Sequence, residues 1–135
     1  MSSPVPWDDA RALVTAWGVS AGVQIQWPNE PFKAPAALYA SFGMTGDMLE
    51  PMELGPAGAW SESGYLEVTL HVPTGHGTRA ARVHGKDIAN LFRGRATAPV
   101  TYHRASIGDG EPDDTDSAWW LLTVVVDYRY TDTVA

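Results

Sequence analysis

Four histidines invite a metal reading. Imidazoles bind zinc well when two project from one helical face, as in H-E-x-x-H. Here His71 and His76 flank a strand-to-helix turn, His84 falls on an expected helix and His103 on a strand. His76 and His84 are eight residues apart, and no carboxylate stands at a motif position. These are read as turn, surface and partly buried histidines. The stretch TGHGTR, residues 74–79, leads glycines into a helix start, a setting in which backbone N–H groups cradle phosphate. It lacks Gly-Lys-Ser/Thr and a third glycine at the required spacing, so Gly75 and Gly77 are read as formers of a sharp turn. The carboxylates of GDGEPDDTD, residues 108–116, lack the ligand alternation, central glycine and distal glutamate of a calcium loop. They are read as a solvated loop or as a partner for a basic helix on another copy. Ser61, Ser63, Ser106 and Ser117 have no nucleophile-elbow motif around them. The chain has no cysteine, which excludes disulfides, thiol catalysis and cysteine-based zinc sites. The expectation is a protein that is not an enzyme, with no catalytic, cofactor or metal residues.

Charge is the next signal. The formal net charge is -7, which argues against general binding to nucleic acid or anionic membrane. Yet Arg79, Arg82, Lys86, Arg93 and Arg95 crowd one window, and Asp109, Glu111, Asp113, Asp114 and Asp116 crowd another. Segregation of this kind suits contact between copies of one protein. Arg79, Arg82, Lys86 and Arg93 are spaced 3, 4 and 7 apart and line one side of a helix. A stripe of this kind can touch nucleic-acid phosphates, but on an acidic protein it is read first as a solvated face and next as an intersubunit seam.

The elements that carry these residues follow from periodicity. A chain of 135 residues, 44% hydrophobic and 19% charged, fits one domain with a sizeable core. The start, MSSPVPWDDARA, is not expected to be a signal peptide, and no apolar run approaches the roughly 18 residues of a membrane span. A helix is predicted over Trp7–Trp17, capped by Asp8 or Asp9 and ended by Gly18. Val23, Ile25 and Trp27 alternate as a first strand that Pro28 ends. Leu38, Ala40, Phe42 and Met44 mark a second, and residues 45–59 read as a long arm or loop without a basic residue. A third strand runs from Trp60 to Val72. A second helix follows, with Ala81, His84, Ile88, Leu91 and Phe92 inward and Gly94 at its end. Val100, Tyr102 and Arg104 form a short strand. The last strand is apolar on both faces, with Trp120, Leu122, Val124, Val126, Tyr128 and Tyr130 on one and Trp119, Leu121, Thr123 and Val125 on the other. Such a strand is usually central and covered twice. One cover could be a helix and the other a neighbouring subunit. The expected fold is α+β: a mostly antiparallel five-stranded sheet with two packed helices, in the order α-β-β-β-α-β-β.

The segment VQIQWPNEPF, residues 23–32, breaks this regular scheme. Trp27 and Glu30 each precede a proline and are biased toward extended backbone, while Pro28, Pro31 and Pro35 fix their own φ angles. The result is a stiff spacer with Trp27 and Phe32 as apolar pins. An early helix, this segment, LYASFG, ELGPAGAWSESG, YLEVTLHVPTGHG, a helix ending IANLF and WWLLTVVVDYRY occur in that order. The run resembles the tail terminator (tail completion) proteins of long-tailed bacteriophages, the group that includes minor tail protein U of lambdoid phages. The resemblance spans roughly Ala10 to Tyr130, and the acidic insertion Asp109–Asp116 is longer than it suggests.

That resemblance implies a structural virion protein, one tail-terminator-like domain over residues 1–135. It implies a homo-hexameric ring at the neck end of the virion tail, assembled in the host cytoplasm. Such a ring stops elongation of the tail tube and joins it to head neck proteins. The implied partners are further copies of the chain, the major tail tube protein and a head-completion or stopper protein. Viral DNA only passes through the lumen, and no membrane is involved. The contact residues expected are Trp27, Asn29 and Phe32 in the connector, and Met48 and Met52 in the arm. The remainder are Arg79, Arg82, Lys86 and Arg93 on the helix, and Asp113, Asp114 and Asp116 in the acidic loop. Two other readings stand beside it: a different ring-forming neck or tail-tube protein, or a small metal-binding hydrolase domain using His71, His76 or His103.

Overall fold

The computed structural model describes residues 1–52, 59–93, 95–97 and 99–133. Its first helix, α1, spans Pro4–Ala21. Proline is harmless at a helix start, where its missing N–H would be unpaired in any case. The helix therefore begins before Trp7 and runs past Trp17. Gly18 does not end it. Gly22 does, in the left-handed region at φ 69°, with the Val23 N–H reaching back to the Gly18 carbonyl at 2.9 Å. Gly18 serves packing instead: a Cβ there would lie 2.7 Å from Ile25 Cδ1 and 3.0 Å from the Val23 carbonyl oxygen.

The other elements are β1 (Ile25–Gln26), β2 (Tyr39–Pro51), β3 (Ala59–Pro73), α2 (Arg79–Phe92), β4 (Ala96–Thr97), β5 (Val100–Ile107), β6 (Glu111–Pro112) and β7 (Trp119–Thr133). Among the described residues the sheet has seven strands, not five, in the order β1-β2-β3-β7-β5-β4, with β6 also on β7. The two additional strands, β4 and β6, are two residues long and so show no alternation in the sequence. They form because β5 and β7 already present edges to pair with. The mixed α+β class and the mostly antiparallel pairing stand; the strand count and element order are corrected.

β1 pairs β2 in parallel, with Ile25 opposite Ala40 and Gln26 opposite Ser41. Parallel neighbours need a crossover of about a dozen residues. The proline-rich stretch 27–38 is that crossover, which accounts for a stiff connector directly after a strand. The described part of the predicted arm, 45–52 and 59, is largely strand. β2 stays paired with β3 as far as Pro51 opposite Trp60, with a bulge between Gly46 and Met48. Residues 53–58 lie outside the described residues. Gly64 allows β2 to come close, since a Cβ there would meet the Thr45 carbonyl oxygen at 2.1 Å.

Both helices pack on one face of the sheet. Leu66, Val68 and Leu70 of β3 and Leu122, Val124 and Val126 of β7 are fully buried there, with Ala10, Val14 and Trp17 of α1 and Ala81, Ile88 and Phe92 of α2. His84 and Leu91 are only half-buried. Gly85 and Ala89 take their place in the contact, because small residues bring α2 close to β7.

Candidate functional site

Among the described residues, no helix lies on the opposite face of the sheet. Tyr65, Glu67, Thr69 and His71 of β3 and Trp119, Leu121, Thr123 and Val125 of β7 alternate with the buried set and are half-exposed. The expectation that β7 would be covered twice is therefore met on one side only by the chain itself. Thr69 and Thr123 hydroxyls sit 3.2 Å apart across the strands. At one end an aromatic cluster closes the face. Tyr39 stacks on His71 at 4.3 Å with rings nearly parallel, Trp119 meets Tyr39 edge-on at 5.0 Å, and Phe32 lies 5.3 Å from Tyr39.

His71 in this cluster has its Nε2 3.0 Å from Ser41 Oγ, while its buried Nδ1 has no hydrogen-bond partner. Burial pushes the His71 pKa down, against a smaller opposing pull from the Asp113 charge. A nucleophilic serine needs a histidine that is itself oriented by a third group. Among the described residues no third group hydrogen-bonds His71 Nδ1, and Ser41 lies in β2 between Ala40 and Phe42. The pair ties β2 to β3.

The connector residues separate. Trp27 belongs to the helix side, 5.1 Å from Phe42 and 6.4 Å from Trp7, with the Arg11 guanidinium 4.5 Å over its ring. Arg11 also pairs with Glu30, which holds the exposed Glu30 carboxyl below its usual value. Phe32 is on the open side, against Tyr39. The connector thus wraps the β1–β2 edge from one face to the other. Asn29 turns it at φ 56°, the one positive φ outside glycine among the described residues. Asparagine tolerates that region.

The basic stripe splits. Arg79 and Arg82 point away from the sheet, Arg82 Nε donating to Thr78 Oγ1 at 3.0 Å. Lys86 and Arg93 instead rim a groove of about 410 Å³ between α2 and β5, where His103 and Arg104 join them over a floor that includes Phe92, Tyr102 and Val126. Sequence reading missed this groove, because Arg104 lies on a strand and reaches the helix only through the fold.

The acidic residues lie at the aromatic-cluster end of the sheet, where Asp113 is near enough to His71 and Tyr39 to act on both. Thr74 Oγ1 donates to the Ser117 carbonyl at 2.7 Å and Thr74 N–H to the Ala118 carbonyl, so the acidic loop is held beside the start of α2. Asp113 Oδ1 accepts from Thr115 N–H at 3.0 Å and Thr115 Oγ1 at 2.8 Å, which lowers its pKa. Asp116 Oδ1 accepts from Ala118 N–H at 3.0 Å. Two of the three acids singled out thus shape the loop, and Asp114 is exposed. Met52 is exposed at the end of the β2–β3 hairpin; the Met48 side chain lies outside the described residues.

The histidines are spread apart. His76 Nδ1 is 3.3 Å from the Pro73 carbonyl in the turn, His84 lies edge-on to Trp17 at 5.7 Å, and His103 sits at a bulge in β5. Among the described residues no group of three or more His, Cys, Asp or Glu could hold a metal ion.

A second overlooked feature is Glu62, buried at 4% exposure. Its carboxylate accepts from Ser3 N–H at 3.2 Å, from the Ser3 hydroxyl at 2.5 Å and from the Tyr128 hydroxyl at 2.6 Å. It moors the N-terminus to the sheet. The signal was available, because Glu62 is in phase with Leu66 and Val68.

Against known proteins, no family model matches the chain and no curated protein matches it. Among solved structures 24 chains match, so the architecture recurs beyond this chain. One of them, a protein known by a sequence label alone, superposes with a TM-score of 0.60 at 17% identity, covering 93% of this chain and 98% of its own. At that identity the likeness shows a shared fold. Among the described residues, no helix is long and apolar enough to cross a membrane.

Proposed function

We propose that this chain is a tail terminator subunit. Six copies form a ring that caps the tail tube, stops its elongation and presents a surface to a head-completion or stopper protein. The work is contact, not chemistry. The observation that carries the reading is the half-covered sheet, with helices on one face of β7 and a largely apolar row, Trp119, Leu121, Thr123 and Val125, half-exposed on the other. A monomer that leaves such a row open has a use for partners. The ordered motifs of the sequence support the family reading, and the acidic net charge suits a lumen that DNA must slide through without sticking.

The test is assembly of particles lacking this chain. Tubes should overgrow and fail to join heads, and adding the protein back should restore tails of one length, with the chain at the head-proximal end. Normal tails without it would sink the reading. Light scattering separates a terminator from a tube protein. A terminator stays at monomers or at one ring, six times the 14.6 kDa chain, whereas a tube protein polymerises by itself.

A further inference from the structure

We infer that the groove between α2 and β5 receives the β2 end of a second copy of this chain, the segment Leu49-Glu50-Pro51-Met52. The inference rests on the ring reading and names the surfaces that meet.

The groove is apolar at its floor, through Phe92, Tyr102 and Val126, and cationic at its rim, through Lys86, Arg93 and Arg104. Among the described residues no Asp or Glu lines it. Its wall is a free strand edge. β4 pairs with Val100 and Thr101 and the Tyr102 N–H bonds the Arg95 carbonyl, so among the described residues the outer side of β5 is open to an extended segment from His103 to Ile107. Its occupant should therefore be extended, acidic and apolar.

The β2 end has those properties. Leu49 and Met52 are 52% and 54% exposed, Glu50 is exposed between them, and residues 45–59 contain no Lys or Arg. β2 is also open on its outer side, since β1 pairs only with Ala40 and Ser41. In the strand order β2 and β5 lie toward opposite edges of the sheet. A donor on one edge and an acceptor on the other is what a head-to-tail contact needs to repeat around a ring. Apolar anchors inside a charged rim are the usual anatomy of such contacts. The chain's own acidic loop is the weaker occupant. Asp113 and Asp116 are engaged within it, and it offers no large apolar side chain for the floor.

The natural chain has no cysteine, so introduced thiols report unambiguously. Met52→Cys combined with Asn90→Cys, the latter in the groove lining, should oxidise to a ladder of covalent species beyond the dimer, while each single variant forms none. Glu50→Lys should weaken self-association about 30-fold or more, as reversal of a desolvated charge contact does, and adding Lys86→Glu in the same chain should restore part of it. Circular dichroism checks that each variant is folded. No ladder from a preparation that light scattering shows to be oligomeric overturns the docking and leaves the ring standing. No ladder from a protein that stays monomeric at every concentration overturns the docking, and the ring reading then stands or falls with tail length in particles lacking the chain. No ladder together with binding of a labelled DNA duplex that Lys86→Glu abolishes makes the groove a nucleic-acid site and also overturns the docking.

Discussion

Leu121 and Leu122 are neighbours on β7 and live in different environments. Leu122 is 1% exposed beneath the helices, whereas Leu121 is half-exposed on the face that no helix covers. The same contrast repeats along β3, where buried Leu66, Val68 and Leu70 alternate with half-exposed Glu67, Thr69 and His71. Composition does not separate the two faces of β7, since both carry large apolar side chains. What separates them is that the two helices among the described residues both lie on one side. The difference teaches that one face holds the fold together while the other can be changed without unfolding it.

The sharpest break of this contrast is a pair of truncations. Leu122→Ala should cost about 3 kcal/mol in chemical denaturation, from lost burial and a residual cavity. Leu121→Ala should cost under about 1 kcal/mol, while weakening self-association. Equal losses of folding stability would mean that the second face is also core. Next in size is Glu62→Gln, which keeps the shape but gives up charge-assisted bonds to Ser3 and Tyr128. It should lower stability by about 2 kcal/mol and raise amide exchange over residues 1–5. Unchanged exchange there would show that the N-terminus is moored by α1 packing alone.

The smallest expected effect is a pH dependence on the open face. Burial holds His71 below its ordinary value, so the unfolded chain takes up this proton first as pH falls. The stability tied to neutral His71 is present above the ordinary imidazole value and is lost as pH drops through it toward the lower folded value. Wild type should therefore lose more melting temperature than His71→Gln between about pH 7 and about pH 5. Parallel curves would mean that the stacked ring accepts a proton without penalty.

Several features were legible in the residues. Strong alternation in 60–72 and 119–130 marked β3 and β7, and the helical spacing of Ala81, Ile88 and Phe92 marked α2. β4 and β6 were invisible because a two-residue strand has no period. Gly18 misled because a glycine near a helix end looks like a terminator, and only the approach of Ile25 shows its use. Of the residues expected to make contacts, Trp27 and Asn29 turned out to have internal duties, in the core edge and in the turn. Asp113 and Asp116 fold their own loop. Lys86 and Arg93 were joined by Arg104, which no helical stripe could include.

Local order along the chain set which segments are helix or strand, where prolines stiffen the path, and that β7 is apolar on both sides. These are properties of neighbouring residues and of side-chain spacing. Which face the helices cover, and that β1 runs parallel to β2, depend on contacts between segments far apart in the chain. So does the assembly of Lys86, Arg93 and Arg104 around one groove. Periodicity states that a face must be buried; it does not name the partner that buries it. That choice is made by packing, where two helices can cover only one side of the sheet.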